Sequence, residues 1–123
     1  MVRTFHNILL FHGSRRVSAN DEALILTSKI SLQVKSNNFS TAFLGFGTPS
    51  LRQTLESVYS RGTRQIRVFP LFILSGKHLE EDLPNILKEF RTANPDVNII
   101  QEPYLASDPS FEKWFISKIK DFS

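Results

Sequence analysis

Ile8-Leu9-Leu10-Phe11-His12-Gly13-Ser14 sets the architecture of this chain. An unbroken apolar run stops abruptly at a polar, glycine-containing segment. Apolar residues at successive positions, without alternation, are the pattern of a strand buried on both faces. Such strands belong to parallel sheets covered by helices. The sequence downstream agrees. Ser18 with Asp21 three places on is a capping-box-like helix start. Ala23, Thr27, Ile30 and Val34 then share one helical face.

The same alternation repeats to the end of the chain. A second apolar run, Phe39 to Leu44, breaks at Gly45-Phe46-Gly47. Thr48-Pro49 reads as an N-cap with proline at the first helical position. Leu51, Leu55 and Val58 form that helix's buried stripe, and Gly62 stands where a left-handed terminator belongs. The third run is Ile66 to Leu74, with Pro70 expected to interrupt or end the strand because it lacks the ladder donor. Ser75-Gly76-Lys77-His78 forms the turn after it. The next helix buries Leu83, Ile86, Leu87 and Phe90 and stops at Asn94-Pro95. A fourth run, Val97 to Ile100, leads through Pro103 to Asp108-Pro109, another cap-plus-proline start. Phe111, Phe115, Ile119 and Phe122 stripe the last helix. The result is a series of strand–helix units of roughly 30 residues, the length a right-handed crossover needs. The expectation is an α/β domain with a four-stranded parallel sheet and helices on both faces.

Composition narrows the functional classes. The chain has 123 residues, enough for a single domain over residues 1–123 with a modest core. Cysteine is absent, which excludes disulfides, thiolate nucleophiles, zinc–cysteine sites and iron–sulfur ligation. Metal ligands must therefore come from His6, His12, His78 and oxygen donors. The net charge is +3; residues 1–62 carry seven bases and three acids, and residues 63–123 eight bases and nine acids. That asymmetry suits an anionic small molecule near the N-terminal half. It is too weak for nucleic acid, and no basic run accompanies it. No apolar stretch reaches the roughly 20 residues that span a bilayer. The N-terminus shows no small-residue cleavage site, so a cytoplasmic protein without a membrane partner is expected.

In open parallel sheets ligands bind beyond the carboxyl ends of the strands, where strand order reverses. If the order is 2-1-3-4, that reversal lies between strands one and three. His12 and His78 would then face one crevice from opposite sides. Imidazole suits divalent Co, Fe, Ni and Zn, and it accepts a proton near neutral pH. Blander readings stand beside this one. Each histidine taken singly is more often satisfied within the fold than a ligand. Glu80-Glu81-Asp82 reads as a helix start, with Asp82 as N-cap. His6 reads as surface, Gly13 and Gly76 as turn glycines, and Phe46 as core. Trp114 and the last helix's phenylalanines read as core or interface. Ser14 is not a nucleophile elbow, because His12 and Arg16 occupy the places of the two required glycines. No phosphate-binding glycine loop comes after the first strand.

Taken together, the two histidine segments carry a resemblance. His12-Gly13-Ser14-Arg15 resembles the opening motif of the small class II tetrapyrrole chelatases, the CbiX or sirohydrochlorin chelatase group. Pro70-Leu71-Phe72-Ile73-Leu74-Ser75-Gly76-Lys77-His78-Leu79-Glu80-Glu81-Asp82-Leu83-Pro84 resembles that family's second signature. The segments Ala42-Phe43-Leu44 and Pro49-Ser50 between them also fit, so the resemblance covers essentially the whole chain. It implies a three-layer, flavodoxin-like chelatase domain with sheet order 2-1-3-4. It also implies insertion of Co²⁺ or Fe²⁺ into sirohydrochlorin for cobalamin or siroheme synthesis. Ni²⁺ is a third candidate, and no organic cofactor is expected.

By motif, His12 resembles the proton acceptor and first metal ligand, and His78 the second. Ile73, Leu74, Ser75, Gly76 and Lys77 resemble the turn that contacts the macrocycle. Gly45 and Phe46 match a second contacting loop. Ser14 is counted with the substrate-binding residues, and Arg15, Arg16 and Lys77 lie beside the two motifs, where they could pair with the substrate's peripheral carboxylates, arginine bidentately. One departure stands out: many relatives carry an acid in the segment after strand two, and Gly45-Phe46-Gly47-Thr48 has none. Either the two histidines suffice, or Glu80 or Glu81 substitutes, or activity is weakened. Larger chelatases resemble two such units in tandem, so a homodimer that closes around the tetrapyrrole is expected. The alternatives are a non-catalytic tetrapyrrole or metal carrier and, more weakly, a phosphate or nucleotide binder.

Overall fold

The structure is a computed structural model and describes residues 4–121. Its elements keep the expected alternation. Strand β1 (His6–Gly13) leads to helix α1 (Val17–Val34), β2 (Phe39–Phe46), α2 (Leu51–Ser60) and β3 (Gln65–Pro70). A π-helical turn (His78–Asp82) opens α3 (Leu83–Ala93). Then come β4 (Asn98–Gln101), a 3-10 turn (Leu105–Ser107) and α4 (Pro109–Lys120). All the strands are parallel, in the order β2-β1-β3-β4. The 2-1-3-4 order and the α/β class are as expected. No helix among the described residues is long and apolar enough to cross a membrane.

The pleat divides the packing. Ile8, Leu10, Ala42, Ile66, Val68 and Ile99 point to one face and form the core with Leu51, Leu55 and Val58 of α2 and Leu83 and Leu87 of α3. The neighbouring residues point the other way, toward α1. There Thr41 Oγ1 donates to Thr27 Oγ1 at 2.7 Å, and Ala23 is buried. Only β1 and β2 are buried on both faces. In β3 burial alternates, and on its second face Arg67 lies 4.7 Å over the Phe69 ring and pairs with Glu102 at 3.2 Å.

Several local expectations are corrected. Helix α1 starts at Val17 after Arg16, without a Ser18 cap. The loop before it is tied instead by Asn20, whose Oδ1 accepts from the Ser14 N–H and whose Nδ2 donates to the Ser14 carbonyl. Val34 is exposed in the last turn of α1, which ends at a left-handed Lys35 (φ 59°). Helix α2 is capped by Ser50 rather than Thr48. A reciprocal Ser50–Gln53 capping box satisfies two otherwise orphaned donors, and the Thr48–Pro49 peptide is cis. Strand β3 does end at Pro70, as its missing ladder donor predicts, and the apolar residues up to Leu74 are irregular. Asp82 has helical dihedrals and makes no cap bond, so it is not an N-cap. His6 is buried at the start of β1, not on the surface, and its Nε2 bonds Ser40 Oγ at 2.7 Å. Burial, and secondarily the Arg61 charge, hold the His6 pKa below its usual value.

Asp108 caps α4 as expected, accepting from the Ser110 N–H at 2.8 Å. The stripe on α4 is not core. Trp114, Phe115 and Ile119 are each at least half exposed, which leaves the interface reading. Phe122 lies outside the described residues.

Candidate active site

The site is built where β1 and β3 end side by side. Between Phe11 and Gly13 the β1–β2 register slips: Phe11 pairs with Phe43, but Gly13 pairs with Phe46. The extra β2 residue places Gly45 against His12. A Cβ on Gly45 would sit 3.1 Å from the His12 carbonyl oxygen and 3.7 Å from its ring. The tight neighbour is thus the His12 backbone, while the ring stands at ordinary contact distance. Gly13 is under tighter constraint. Its φ is +92°, and a Cβ there would fall 1.7 Å from the Phe46 carbonyl oxygen.

The second wall is the segment after β3. The Leu71 N–H donates to the Leu10 carbonyl, extending the contact with β1 past Pro70. The 3-10 turn holds the next two residues: the Leu105 and Ala106 N–H groups donate to the Phe72 and Ile73 carbonyls. The Glu80 N–H then donates to the Gly76 carbonyl at 2.8 Å, and Ser75 Oγ donates to Glu80 Oε1 at 2.9 Å. The π-helical turn has a local cause. Pro84 has no N–H, and its ring crowds the carbonyl four residues back. The helix opens to a wider turn, closed by the Leu83 N–H on the His78 carbonyl.

These walls bring the two histidine segments together. The His12 and His78 rings meet edge to face, with centroids 4.6 Å apart and planes at 83°. Phe72 flanks His12 at 5.8 Å. A cavity of about 340 Å³ is lined by His12, His78 and the loop between them, including Phe72, Leu74 and Lys77. Ile73 and Leu74 are exposed apolar residues, at 59% and 69%. Arg15 lies 4.7 Å over the Phe46 ring, which joins the end of β1 to the end of β2. Phe46 is half exposed, so it is not core.

Ser14 does not face the imidazoles as a free hydroxyl. Its Oγ accepts from the Arg16 N–H at 3.1 Å, shaping the turn into α1. Among the described residues no group of three or more histidine, aspartate or glutamate side chains is arranged to hold a metal ion. Glu80 and Glu81 thus do not complete the histidine pair. Three contributors are not evident from the sequence: Asn20, Phe72 and Asp82. Asp82 Oδ2 lies 2.6 Å from His78 Nδ1. The signal is present as an i, i+4 spacing, but an acid at a helix start also reads as a cap.

Comparison with known proteins bears on this geometry. The CbiX family model matches residues 6–122. A sirohydrochlorin cobaltochelatase from Methanococcus maripaludis is 29% identical over 80 residues, covering 65% of this chain and 56% of that protein. The chain thus spans little more than half the length of that relative. A sirohydrochlorin cobaltochelatase from Saccharolobus islandicus is 23% identical over 120 residues and is covered to 92%.

Among solved structures, a cobalamin (vitamin B12) biosynthesis CbiX protein from Marinobacter aquaeolei superimposes with TM-score 0.81 at 23% identity, covering 97% of this chain and 94% of that one. The sirohydrochlorin chelatase SirB from Bacillus subtilis in complex with cobalt superimposes with TM-score 0.79 at 24% identity, covering 96% of this chain but 51% of that one. These structures share the fold. The match over nearly the full length, on the segments that carry His12 and His78, places the chain in the CbiX family.

Proposed function

We propose that this chain inserts a divalent metal, Co²⁺ or Fe²⁺, into sirohydrochlorin, serving cobalamin or siroheme synthesis. The observation that carries the reading is the pair of imidazoles meeting at 4.6 Å beyond the ends of β1 and β3. Metallation removes two pyrrolic protons and delivers one dication, so the charge of the ring's core is conserved. His12 accepts protons; among the described residues no hydrogen bond ties its ring nitrogens. His12 and His78 hold the ion until the ring takes it. Two neutral ligands without a carboxylate bind weakly enough to release it, and the same pair also suits Ni²⁺.

Arg15 and Lys77 pair with the substrate's peripheral carboxylates. Ile73, Leu74 and Phe46 offer apolar surface to the ring, and Ser75 and Gly76 shape the turn beside it. The cavity is at the small end of the roughly 300–1,000 Å³ typical of enclosed ligand sites. A tetrapyrrole overfills it. We therefore place a second copy of the chain on the other side of the ring, forming a homodimer in the cytoplasm.

The test is sirohydrochlorin with Co²⁺ and with Fe²⁺, monitored by absorbance. His12→Ala and His78→Ala are each expected to abolish insertion while circular dichroism stays unchanged. Full activity in both variants overturns the reading, and an active monomer in sedimentation overturns the dimer. The lack of an acid between Gly45 and Thr48 favours one competing reading, a carrier. Tight tetrapyrrole or Co²⁺ binding with no rate above the uncatalysed reaction would select it.

A further inference from the structure

We infer that Asp82 is a positioning residue that sets the tautomer and orientation of the His78 imidazole; its role toward the metal rests on the proposed ligand function of His78. Asp82 Oδ2 lies 2.6 Å from His78 Nδ1. A carboxylate only accepts, so in the neutral ring the hydrogen sits on Nδ1 and the lone pair on Nε2. Nε2 is therefore the nitrogen left to ligate. Histidine ligands held by a carboxylate in this way have a fixed tautomer and ring plane.

The arrangement is built into the helix start. Residues 78 and 82 stand four apart in the π-helical turn, on one side of it. Asp82 has helical dihedrals and no capping bond, so its side chain is free for this task. The neighbouring acid Glu80 is engaged by Ser75 Oγ at 2.9 Å, so the two carboxylates have separate work. Among the described residues no carboxylate holds His12 in this way. The two histidines of the pair are consequently inequivalent: His78 Nδ1 is engaged by Asp82, whereas the His12 ring is flanked by Phe72 and His78.

The experiment uses the full chain without metal, with the imidazole ¹⁵N signals of His78 recorded where the ring is neutral. Wild type is expected to show Nδ1–H. Asp82→Ala is expected to move His78 to the Nε2–H form that free imidazole side chains favour, and Asp82→Glu to restore Nδ1–H. Titration with Co²⁺ alone is expected to show about 10–100-fold weaker binding in Asp82→Ala, recovered in Asp82→Glu. An unchanged tautomer in Asp82→Ala overturns the inference, as does a changed tautomer that Asp82→Glu fails to restore. His78→Ala measured in parallel separates the two ideas. Undiminished Co²⁺ affinity there overturns the ligand role of His78, while the tautomer signal still judges Asp82.

Discussion

Gly13→Ala tests whether the backbone, and not only the side chains, holds the site together. Two costs combine at this position. An L-residue at positive φ costs about 1–2 kcal/mol. The added Cβ would lie 1.7 Å from the Phe46 carbonyl oxygen, a backbone atom that cannot rotate away. Overpacking of this kind costs a further 1–3 kcal/mol or so. Gly62 provides the control. Its φ is +97°, but a Cβ there meets nothing within 4 Å, so Gly62→Ala carries the conformational cost alone. Urea denaturation of both variants isolates the difference, expected at about 1–3 kcal/mol in the direction of a less stable Gly13→Ala. Relief of the clash must push Phe46 away from β1, loosening the end of the sheet from which His12 projects. Co²⁺ affinity is thus expected to fall in Gly13→Ala and to hold in Gly62→Ala, both measured well below the unfolding transition. Equal stabilities, or unchanged Co²⁺ affinity in Gly13→Ala, would show that the Gly13–Phe46 approach does not support the site.

Leu55 is fully buried against the sheet, and Leu55→Ala is expected to cost about 2–5 kcal/mol in urea denaturation. His6 is buried with its pKa below the usual 6.5, so the unfolded chain binds its proton more readily. Stability should decline as pH falls below about 6.5, level off below the folded-state pKa, and lose that component in His6→Gln, as measured by denaturation against pH. Arg15→Ala is expected to weaken sirohydrochlorin binding by about tenfold or more, the value of one charge-assisted contact, and to leave binding of Co²⁺ alone unchanged. Equilibrium titrations of each ligand separately check this.

One-dimensional pattern carries the architecture. Ile8 to Phe11 are apolar at every position because a central strand of a parallel sheet has little solvent to face, whereas β3 alternates and is legible by that period instead. Both histidine segments are visible for a related reason: each sits at the carboxyl end of a strand, where a parallel sheet presents its loops. Pairwise encounters are not visible. His6 reads as surface because its burial depends on Ser40, 34 residues away across β1 and β2. The helix stripe of Phe115 and Ile119 has the period of a buried face, yet periodicity says only that a face is apolar, not that anything covers it.

Asp82 makes the division plainest. Local sequence offers it two roles of similar energy, capping a helix or meeting the residue one turn back. In the folded chain its side chain makes no cap bond, and the carboxylate meets His78. Composition, period and motif thus establish a parallel α/β sheet with two imidazoles at its carboxyl edge. The 4.6 Å meeting of those imidazoles, the close approach of Gly45 to the His12 backbone and the carboxylate that holds His78 require the folded chain. Each depends on backbone register and helix pitch, which only the tertiary structure fixes.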